Sequence, residues 1–252
     1  MSGNMRYPRI IAHRCGGALA PENSLAGLGI AARLGCRGVE FDVMLSRDGV
    51  PFLIHDETLE RTTNGSGRVA DLSIAEIQRF DTGGKFHKAF GILDGVSPAP
   101  TLEATMAQIA RLGLWANIEI KPASGHELAT GRVVGQWLAK HWNGNGVISS
   151  FAHNALQAAM HETQSLRPEF TYAALFEKLP DDWSSILART GANAVHMAAR
   201  HVSAAQADTL NTLAVPWACY TVNSIAEASR LFALGCAAIF TDRPDLWAED
   251  EM

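Results

Sequence analysis

Charged side chains recur at two-residue spacing in two strand-like runs of this sequence. Glu40 and Asp42 lie two positions apart in VEFD, and Glu119 and Lys121 repeat that spacing in NIEIK. Side chains two apart on a strand leave the same face, so each pair converges. Three carboxylates around one point repel one another and are unfavourable to desolvate, and a hard divalent cation relieves both effects. The spacing therefore predicts that Glu40, Asp42 and Glu119 bind Mg²⁺ or Ca²⁺, which oxygen ligands favour over zinc.

Two histidines at the ends of apolar runs provide acid and base groups near this predicted metal site. His13 and Arg14 follow the first apolar run, and His55 follows the run PFLI. Because histidine titrates near neutrality, one of the two can take a proton while the other delivers one. Arg14 and Lys121 add fixed positive charge that suits an anionic, phosphate-like group. His196, at the end of VHM, is predicted either to line the pocket or to lie in the core.

Structural interpretations of the same residues stay open. The three carboxylates would otherwise form an ion-pair cluster on an inward strand face. Tyr220 is a candidate substrate contact in addition to Arg14, Lys121 and His196, although a tyrosine is more often a core or rim residue. Asp56 is most simply a turn or cap residue.

The segments that carry these residues repeat one pattern, in which Leu-Gly or Thr-Gly ends an apolar-periodic stretch and a strand-like run follows. The four copies are RLGCRGVEFD, RLGLWANIEI, RTGANAVHMA and ALGCAAIFTD. This pattern is typical of a helix that ends at glycine and leads into a strand. Four further strand candidates, IIAHR, VISSF, TYAALF and ACYTV, each precede a helical pattern. Eight such units predict a (β/α)8 TIM barrel over residues 1–252, with the chemistry at the carboxyl ends of the strands.

Local signals refine this prediction. Helix starts are predicted at Asn23, Thr101, Ser203 and Ser224, the last in a capping box with Glu227. A doubly wound open sheet is the structural alternative, but HRCGGALAPEN lacks the glycine-rich phosphate fingerprint of that fold.

The glycine spacing also reveals an irregularity after the second strand. Between Gly35 and Gly113 there is one unit, whereas the equally long stretch from Gly113 to Gly191 holds three. This difference predicts a small insertion at residues 57–100, which follows a hairpin with its turn at Asp48-Gly49 and carries one short helix in SIAEIQRF. Insertions of this kind commonly sit over active sites.

Composition limits the class of protein and its partners. The chain has 252 residues, 47% of them hydrophobic, and a net charge of −5, which argues against nucleic acid as a partner. The sequence has neither an apolar leader nor a run of 18 apolar residues, so we expect no membrane insertion and a cytoplasmic location. The four cysteines fall in no C-x-x-C arrangement, which predicts reduced, mostly buried thiols.

Five stretches together resemble the glycerophosphodiester phosphodiesterases, and most closely the cytosolic bacterial type: HRCGGALAPENSLAG, VEFDVMLSRDGVPFLIHDETLERTTNGSG, ANIEIKP, YTVN and IFTDRPD. The resemblance covers about residues 9–245. It implies hydrolysis of small glycerophosphodiesters, such as glycerophosphocholine or glycerophosphoethanolamine, to glycerol 3-phosphate and an alcohol. It assigns His13 and His55 to acid/base catalysis, and Arg14 and Lys121 to the phosphate. It also assigns the three carboxylates to a divalent metal. The family usually has glycine where this chain has Cys15.

Other functions compete with this interpretation. Lys121 would be the nucleophile of a Schiff-base lyase or aldolase, although neighbouring carboxylates would keep it protonated. The barrel would also suit a non-catalytic protein that binds a phosphorylated ligand, or a phosphodiesterase for lysophospholipids or phosphoinositides. The sequence leaves open the alcohol, the choice between Mg²⁺ and Ca²⁺, a homo-oligomeric state and a cyclic phosphate intermediate.

Overall fold

The strands form one closed parallel barrel. A computed structural model describes residues 7–89 and 97–247 of the chain. The strands of those residues are β1 (Ile10–Ala12), β2 (Gly38–Leu45), β3 (Pro51–Leu53), β4 (Trp115–Ile120), β5 (Gly146–Ser150), β6 (Tyr172–Phe176), β7 (Ala194–Ala198), β8 (Trp217–Tyr220) and β9 (Ala238–Thr241). All except β3 run parallel to their neighbours, and β1 pairs with both β2 and β9 to close the ring. The predicted TIM barrel is confirmed, and the open sheet is excluded.

Helices alternate with the strands. They are α1 (Leu25–Arg33), α2 (Ile74–Ile77), α3 (Gly84–Ala89), α4 (Leu102–Leu112), α5 (Glu127–His141), α6 (His153–Thr163), α7 (Trp183–Thr190), α8 (Ala204–Thr212) and α9 (Ile225–Ala233). Four helices reach the next strand through the glycines that the repeated pattern identified. Gly35, Gly113, Gly191 and Gly235 have φ angles of 89°, 67°, 68° and 94°, the left-handed conformation in which glycine ends a helix.

Three of the four predicted helix starts, at Thr101, Ser203 and Ser224, are correct. The Thr101 side chain accepts a hydrogen bond from the Ala104 amide at the start of α4. Ser203 caps α8 in a complete capping box. Its hydroxyl accepts a hydrogen bond from the Gln206 amide, and the Gln206 side-chain oxygen accepts one from the Ser203 amide.

The predicted start at Asn23 and the predicted capping box at Ser224 need correction. The cap of α1 is Ser24 and not Asn23, which lies buried with a φ of 55° and binds a site carboxylate instead. Ser224 precedes α9, but its side chain makes no capping bond, so the predicted capping box with Glu227 is wrong. Glu227 pairs with Arg230 one turn later at 2.6 Å, and this ion pair takes the carboxylate away from the helix start.

Helices α5 and α6 approach each other closely along a line of small residues. Gly131 and Gly135 of α5 face Ala155 and Ala159 of α6. A Cβ atom on Gly131 would lie 2.2 Å from the Ala155 carbonyl oxygen, and one on Gly135 would lie 2.8 Å from the Cα of Ala159. The backbone contact therefore depends on the missing side chains.

The segment after β3 packs beside the hairpin. Gly49 turns the β2–β3 hairpin with a φ of 76°, as predicted for Asp48-Gly49. Helix α2 begins with a capping box between Ser73 and Glu76, in the predicted SIAEIQRF helix. A separate apolar cluster joins residues of the hairpin, residues of the predicted 57–100 insertion and one residue after β4: Met44, Phe52, Ile54, Leu59, Val69, Ile77, Ala99 and Ala123. Residues 90–96 of that predicted insertion lie outside the described residues.

The barrel interior changes from apolar to polar along the strands. Near the amino ends, Ile11, Trp115 and Val147 form an apolar layer against which Tyr7 packs. Nearer the carboxyl ends the inward residues are charged or polar. The four cysteines are buried thiols, as predicted. Among the described helices, none has the length and apolar character needed to cross a lipid bilayer.

Candidate active site

The nine residues predicted to bind or catalyse line one cavity of about 280 Å³ at the carboxyl end of the barrel. They are His13, Arg14, Glu40, Asp42, His55, Glu119, Lys121, His196 and Tyr220. The barrel brings them together because parallel strands end at one rim. The first seven form or adjoin a charged wall, whereas His196 and Tyr220 belong to a more apolar side.

Three buried carboxylates lie at the centre of the charged wall. Glu40 and Asp42 come from β2 and Glu119 from β4, where Asp42 and Glu119 are register partners. Each of the three offers an oxygen within 4.8 Å of the others. Their residues are 3%, 2% and 7% exposed, so water screens them little. Within the described part of the chain, the Glu40 Oε1 atom is buried without a hydrogen-bond partner.

The electrostatics of these carboxylates differ. Burial, followed by repulsion from Asp42 and Glu119, holds the pKa of Glu40 well above its usual range. Burial and Asp42 likewise raise the pKa of Glu119 to about 7. Burial also acts to raise the pKa of Asp42, but attraction from Lys121 and other cationic groups outweighs it and the pKa is lowered. The site therefore lacks the positive charge needed to ionise all three carboxyl groups together.

An aspartate orients the first histidine. His13 follows β1, and its Nδ1–H donates to Asp242 Oδ1 at 2.7 Å, while its Nε2 lies 3.8 Å from Glu40 Oε2. Asn223 holds Asp242 in turn, since its side-chain amide donates to Asp242 Oδ2 at 3.0 Å and its Oδ1 accepts from the Asp242 amide at 2.8 Å. The hydrogen bond with His13 is the main cause of the lowered pKa of Asp242. This arrangement leaves Nε2 of His13 directed at the carboxylates.

A second aspartate orients the second histidine in the same way. The Nδ1–H of His55 donates to Asp56 Oδ1 at 2.6 Å. Asp56, which the sequence analysis interpreted as a turn or cap residue, is thus a partner of the histidine. Burial lowers the pKa of His55 despite the nearby charge of Asp42. Each histidine therefore has one nitrogen engaged by a carboxylate and the other available to the cavity.

The loop after β1 presents Arg14 to the carboxylates. The Arg14 amide donates to Glu40 Oε2 at 2.8 Å, and its guanidinium donates to Glu22 at 3.0 Å. Arg14 and Cys15 have φ angles of 48° and 75°, so two consecutive residues adopt left-handed backbone. This conformation explains why glycine suits the Cys15 position, and cysteine there adds local strain.

Lys121 and Asn23 hold the carboxylates from opposite sides. The Lys121 ammonium lies 3.2 Å from Glu119 and 3.6 Å from Asp42. Burial opposes its charge, but these carboxylates dominate and raise the pKa of Lys121, which keeps the amine protonated. The Asn23 amide donates to Asp42 Oδ2 at 2.8 Å, and Asn23 Oδ1 accepts from the Asp42 amide at 3.0 Å. The left-handed backbone at Asn23 places its side chain for this two-point contact.

The far side of the cavity is more apolar. His196 is 1% exposed, its Nε2 lies 2.9 Å from the Tyr7 hydroxyl, and burial lowers its pKa to about 3. The Tyr220 hydroxyl donates to the Phe176 carbonyl at 2.8 Å, so Tyr220 presents its ring to the cavity. The half-exposed Phe151 ring packs edge-on against Tyr220 with centroids 5.7 Å apart.

Sequence reasoning missed the residues that support the predicted ones. They are Glu22, Asn23, Arg61, Asn223 and Asp242. Each lies in a stretch that carried the family resemblance, but no local spacing connects them with their partners. The partner of His13, for example, is 229 positions away in the chain.

Comparisons with known proteins identify the family of this chain. Residues 13–246 match the glycerophosphoryl diester phosphodiesterase family. A glycerophosphodiester phosphodiesterase of Caldanaerobacter subterraneus is 31% identical over 240 residues, covering 94% of each chain. One from Bacillus altitudinis is 30% identical over 247 residues, covering 94% of this chain and 95% of the relative. An Oleispira antarctica phosphodiesterase, solved in complex with the product sn-glycerol-3-phosphate, superposes with a TM-score of 0.86 at 31% identity, covering 95% and 94% of the two chains. The chain therefore belongs to the glycerophosphoryl diester phosphodiesterase family, whose members are phosphoric diester hydrolases.

Proposed function

We propose that this protein hydrolyses small glycerophosphodiesters to glycerol 3-phosphate and an alcohol, with a divalent metal and a pair of histidines. The observation that carries the proposal is the arrangement of two aspartate-oriented histidines around one buried cluster of three carboxylates. The family membership supports the reaction class. The product bound to the Oleispira antarctica phosphodiesterase supports glycerol 3-phosphate as the product here.

The donor set of Glu40, Asp42 and Glu119 fits a hard divalent cation. Oxygens of three buried carboxylates lie close together, and Glu40 Oε1 is buried without a hydrogen-bond partner among the described residues. The raised pKa values of Glu40 and Glu119 indicate missing positive charge, which Mg²⁺ or Ca²⁺ would supply. When bound, such an ion polarises a phosphoryl oxygen and stabilises negative charge that develops there.

The side chains of this protein would then bind and orient the diester. Arg14 and Lys121 are fixed cations on one wall of the cavity and suit the phosphoryl oxygens. His196 and Tyr220 would contact the organic parts of the substrate from the opposite side. Because the Tyr220 hydroxyl is engaged by a backbone carbonyl, its contribution would be the ring face.

The histidine pair would move the protons. Hydrolysis requires one proton to leave the attacking hydroxyl and another to reach the departing alkoxide oxygen. His13 and His55 each hold Nδ1–H against an aspartate, so each has Nε2 for one of these transfers. The attacking hydroxyl belongs either to water or to the neighbouring glycerol carbon. In the second case a cyclic phosphate forms first, and water opens it.

A Schiff-base reaction is a poorer fit to the same cavity. Such a reaction needs a neutral amine, whereas Glu119 and Asp42 raise the pKa of Lys121. No observation favours a second function over phosphodiester hydrolysis.

Release of glycerol 3-phosphate from a panel of diesters tests the proposal. We expect turnover of glycerophosphocholine or glycerophosphoethanolamine that stops in EDTA and returns with Mg²⁺ or Ca²⁺. Glu119→Gln should reduce kcat/KM by at least about 10²-fold, since one ligand charge is lost. The exposed Glu103→Gln on α4 is the matched control and should behave as wild type. Full turnover in EDTA would refute the metal dependence.

A further inference from the structure

We propose that Arg61 is a positioning residue, which fixes His55 and Arg14 relative to each other through Asp56 and Glu22. The proposal rests on the proposed function, because His55 and Arg14 are the groups whose placement matters for hydrolysis. Arg61 itself is not among the residues that line the catalytic cavity. Any effect on the reaction must therefore pass through the two carboxylates.

The Arg61 guanidinium forms two forks at once. Its Nε and one terminal nitrogen donate to Asp56 at 2.5 and 3.0 Å. Its two terminal nitrogens donate to the two Glu22 oxygens at 2.8 and 2.7 Å. Such planar, two-point contacts fix direction as well as distance, which a lysine ammonium does not do.

Each of these carboxylates also holds a residue of the site. Asp56 accepts from Nδ1 of His55 at 2.6 Å, and Glu22 accepts from the Arg14 guanidinium at 3.0 Å. A continuous chain of contacts therefore leads from His55 to Arg14 and crosses three separate segments. These are the loop after β1, the end of β3 and the segment that follows it. Arg61 directly links the carboxylate that holds the histidine to the carboxylate that holds the arginine.

The location of the network separates positioning from general stabilisation. The Arg61 and Glu22 side chains are 46% and 21% exposed, so water screens part of the network and its loss should destabilise the fold only modestly, although two-point contacts are among the stronger surface ion pairs. Loss of Arg61 should therefore leave the barrel folded. Small displacements of catalytic groups, in contrast, reduce rates strongly.

The network predicts different kinetic effects for its three members. Glu22→Gln frees Arg14 and should raise KM about tenfold with little change in kcat. Asp56→Asn weakens the orientation of His55 and should lower kcat by about 10- to 100-fold. Arg61→Met should show both effects, and Arg61→Lys should not restore either, because lysine lacks the fork.

A matched control comes from a second arginine beside the hairpin. Arg47 also joins a carboxylate and a backbone carbonyl of the neighbouring segment, Glu76 at 3.0 Å and Asp71 at 2.6 Å, but it does not line the cavity. Arg47→Met should keep kcat and KM within about twofold of wild type. If Arg61→Met does the same, the proposal fails. It also fails if activity falls only in proportion to the folded fraction measured by circular dichroism.

A readout without turnover separates this proposal from the proposed function. Nitrogen-15 spectra of the imidazoles, with His55 assigned from its loss in His55→Asn, should show wild-type His55 with its proton on Nδ1. Arg61→Met should produce a mixture of the two tautomers, and Arg47→Met should not. Unchanged His55 signals in Arg61→Met would overturn the positioning role, whether or not the wild type hydrolyses any diester. Absence of hydrolysis with the expected spectra would reject the proposed function alone.

Discussion

Glu119, as a proposed metal ligand, should link metal binding to stability. The folded, metal-free protein holds its pKa at about 7, whereas an unfolded glutamate has a pKa of about 4.3. Between these values the folded state binds more protons at this group, so the contribution of Glu119 to stability is fully present below about pH 4.3 and is lost as the pH rises through about 7. We expect metal-free wild type to lose on the order of 3 kcal/mol between pH 5 and 8 in urea unfolding, and Glu119→Gln to lose less.

The metal should reverse this loss. At pH 8, Mg²⁺ or Ca²⁺ should stabilise the wild type in proportion to the logarithm of its concentration, because it binds the folded state only. Glu119→Gln should respond weakly, and Glu103→Gln should respond as wild type does. Equal pH dependence of stability in wild type and Glu119→Gln would contradict the raised pKa of this carboxyl group.

Asp242 should matter for catalysis because it fixes the tautomer of His13. Asp242→Asn replaces the anionic acceptor of the 2.7 Å bond with an amide that can also donate. The imidazole would then turn or change tautomer, and we expect kcat to fall by about 10²- to 10⁴-fold with the fold intact. Asp245→Asn is the matched control, because Asp245 pairs with Arg243 outside the cavity. Comparable kcat values for the two variants would exclude this role.

The close approach of α5 and α6 leads to a prediction about the stability of the fold. Gly131→Ala would place a methyl group 2.2 Å from the Ala155 carbonyl oxygen, so the two helices must separate. We expect a loss of about 1–3 kcal/mol in the free energy of unfolding. Gly29→Ala on α1 is the control, since a methyl group there meets only the end of the Arg33 side chain at 3.5 Å. It should stabilise by about 0.5–1 kcal/mol. Equal effects in urea titrations would show that packing does not decide the outcome.

Elements with strong local signals could be predicted, and those set by distant contacts could not. Glycine termination and strand-like runs identified the barrel, because each signal lies within a few residues of its effect. Residue spacing identified the carboxylates for the same reason. The error at Asn23 has a different origin, since Asp42 binds that side chain and leaves Ser24 to cap the helix. Asp242 was missed because only the closed barrel brings it to His13, and Arg61 was missed because its partner Glu22 lies 39 positions away.

An apolar cluster joins the segment after β3 to the β2–β3 hairpin of the barrel. Leu59, Val69 and Ile77 from that segment cover Met44 and Phe52 of the hairpin. Replacing residues 57–100 with a short Gly-Ser linker should leave a folded barrel, because loop entropy changes slowly with length. The variant should have a lower Tm and bind more hydrophobic dye, since hairpin residues become exposed.

The same variant tests the position of the segment near the cavity. We expect KM to rise and the preference among glycerophosphodiesters to broaden, because Arg61 and its contacts to the site are lost. Steady-state kinetics on the diester panel measures both effects. Unchanged KM and preference would show that the segment does not help to form the site.

The hydrogen bond between His13 and Asp242 also has a consequence during synthesis of the chain. These residues are 229 positions apart, and they meet only when β9 pairs with β1. Synthesis proceeds from the amino end, so a nascent chain carries His13 long before its acceptor exists. The enzyme would therefore be inactive until almost all of the chain has been translated. A chain cut short by a premature stop codon before Asp242 would have the three carboxylates and both histidines, yet His13 would lack its orienting carboxylate.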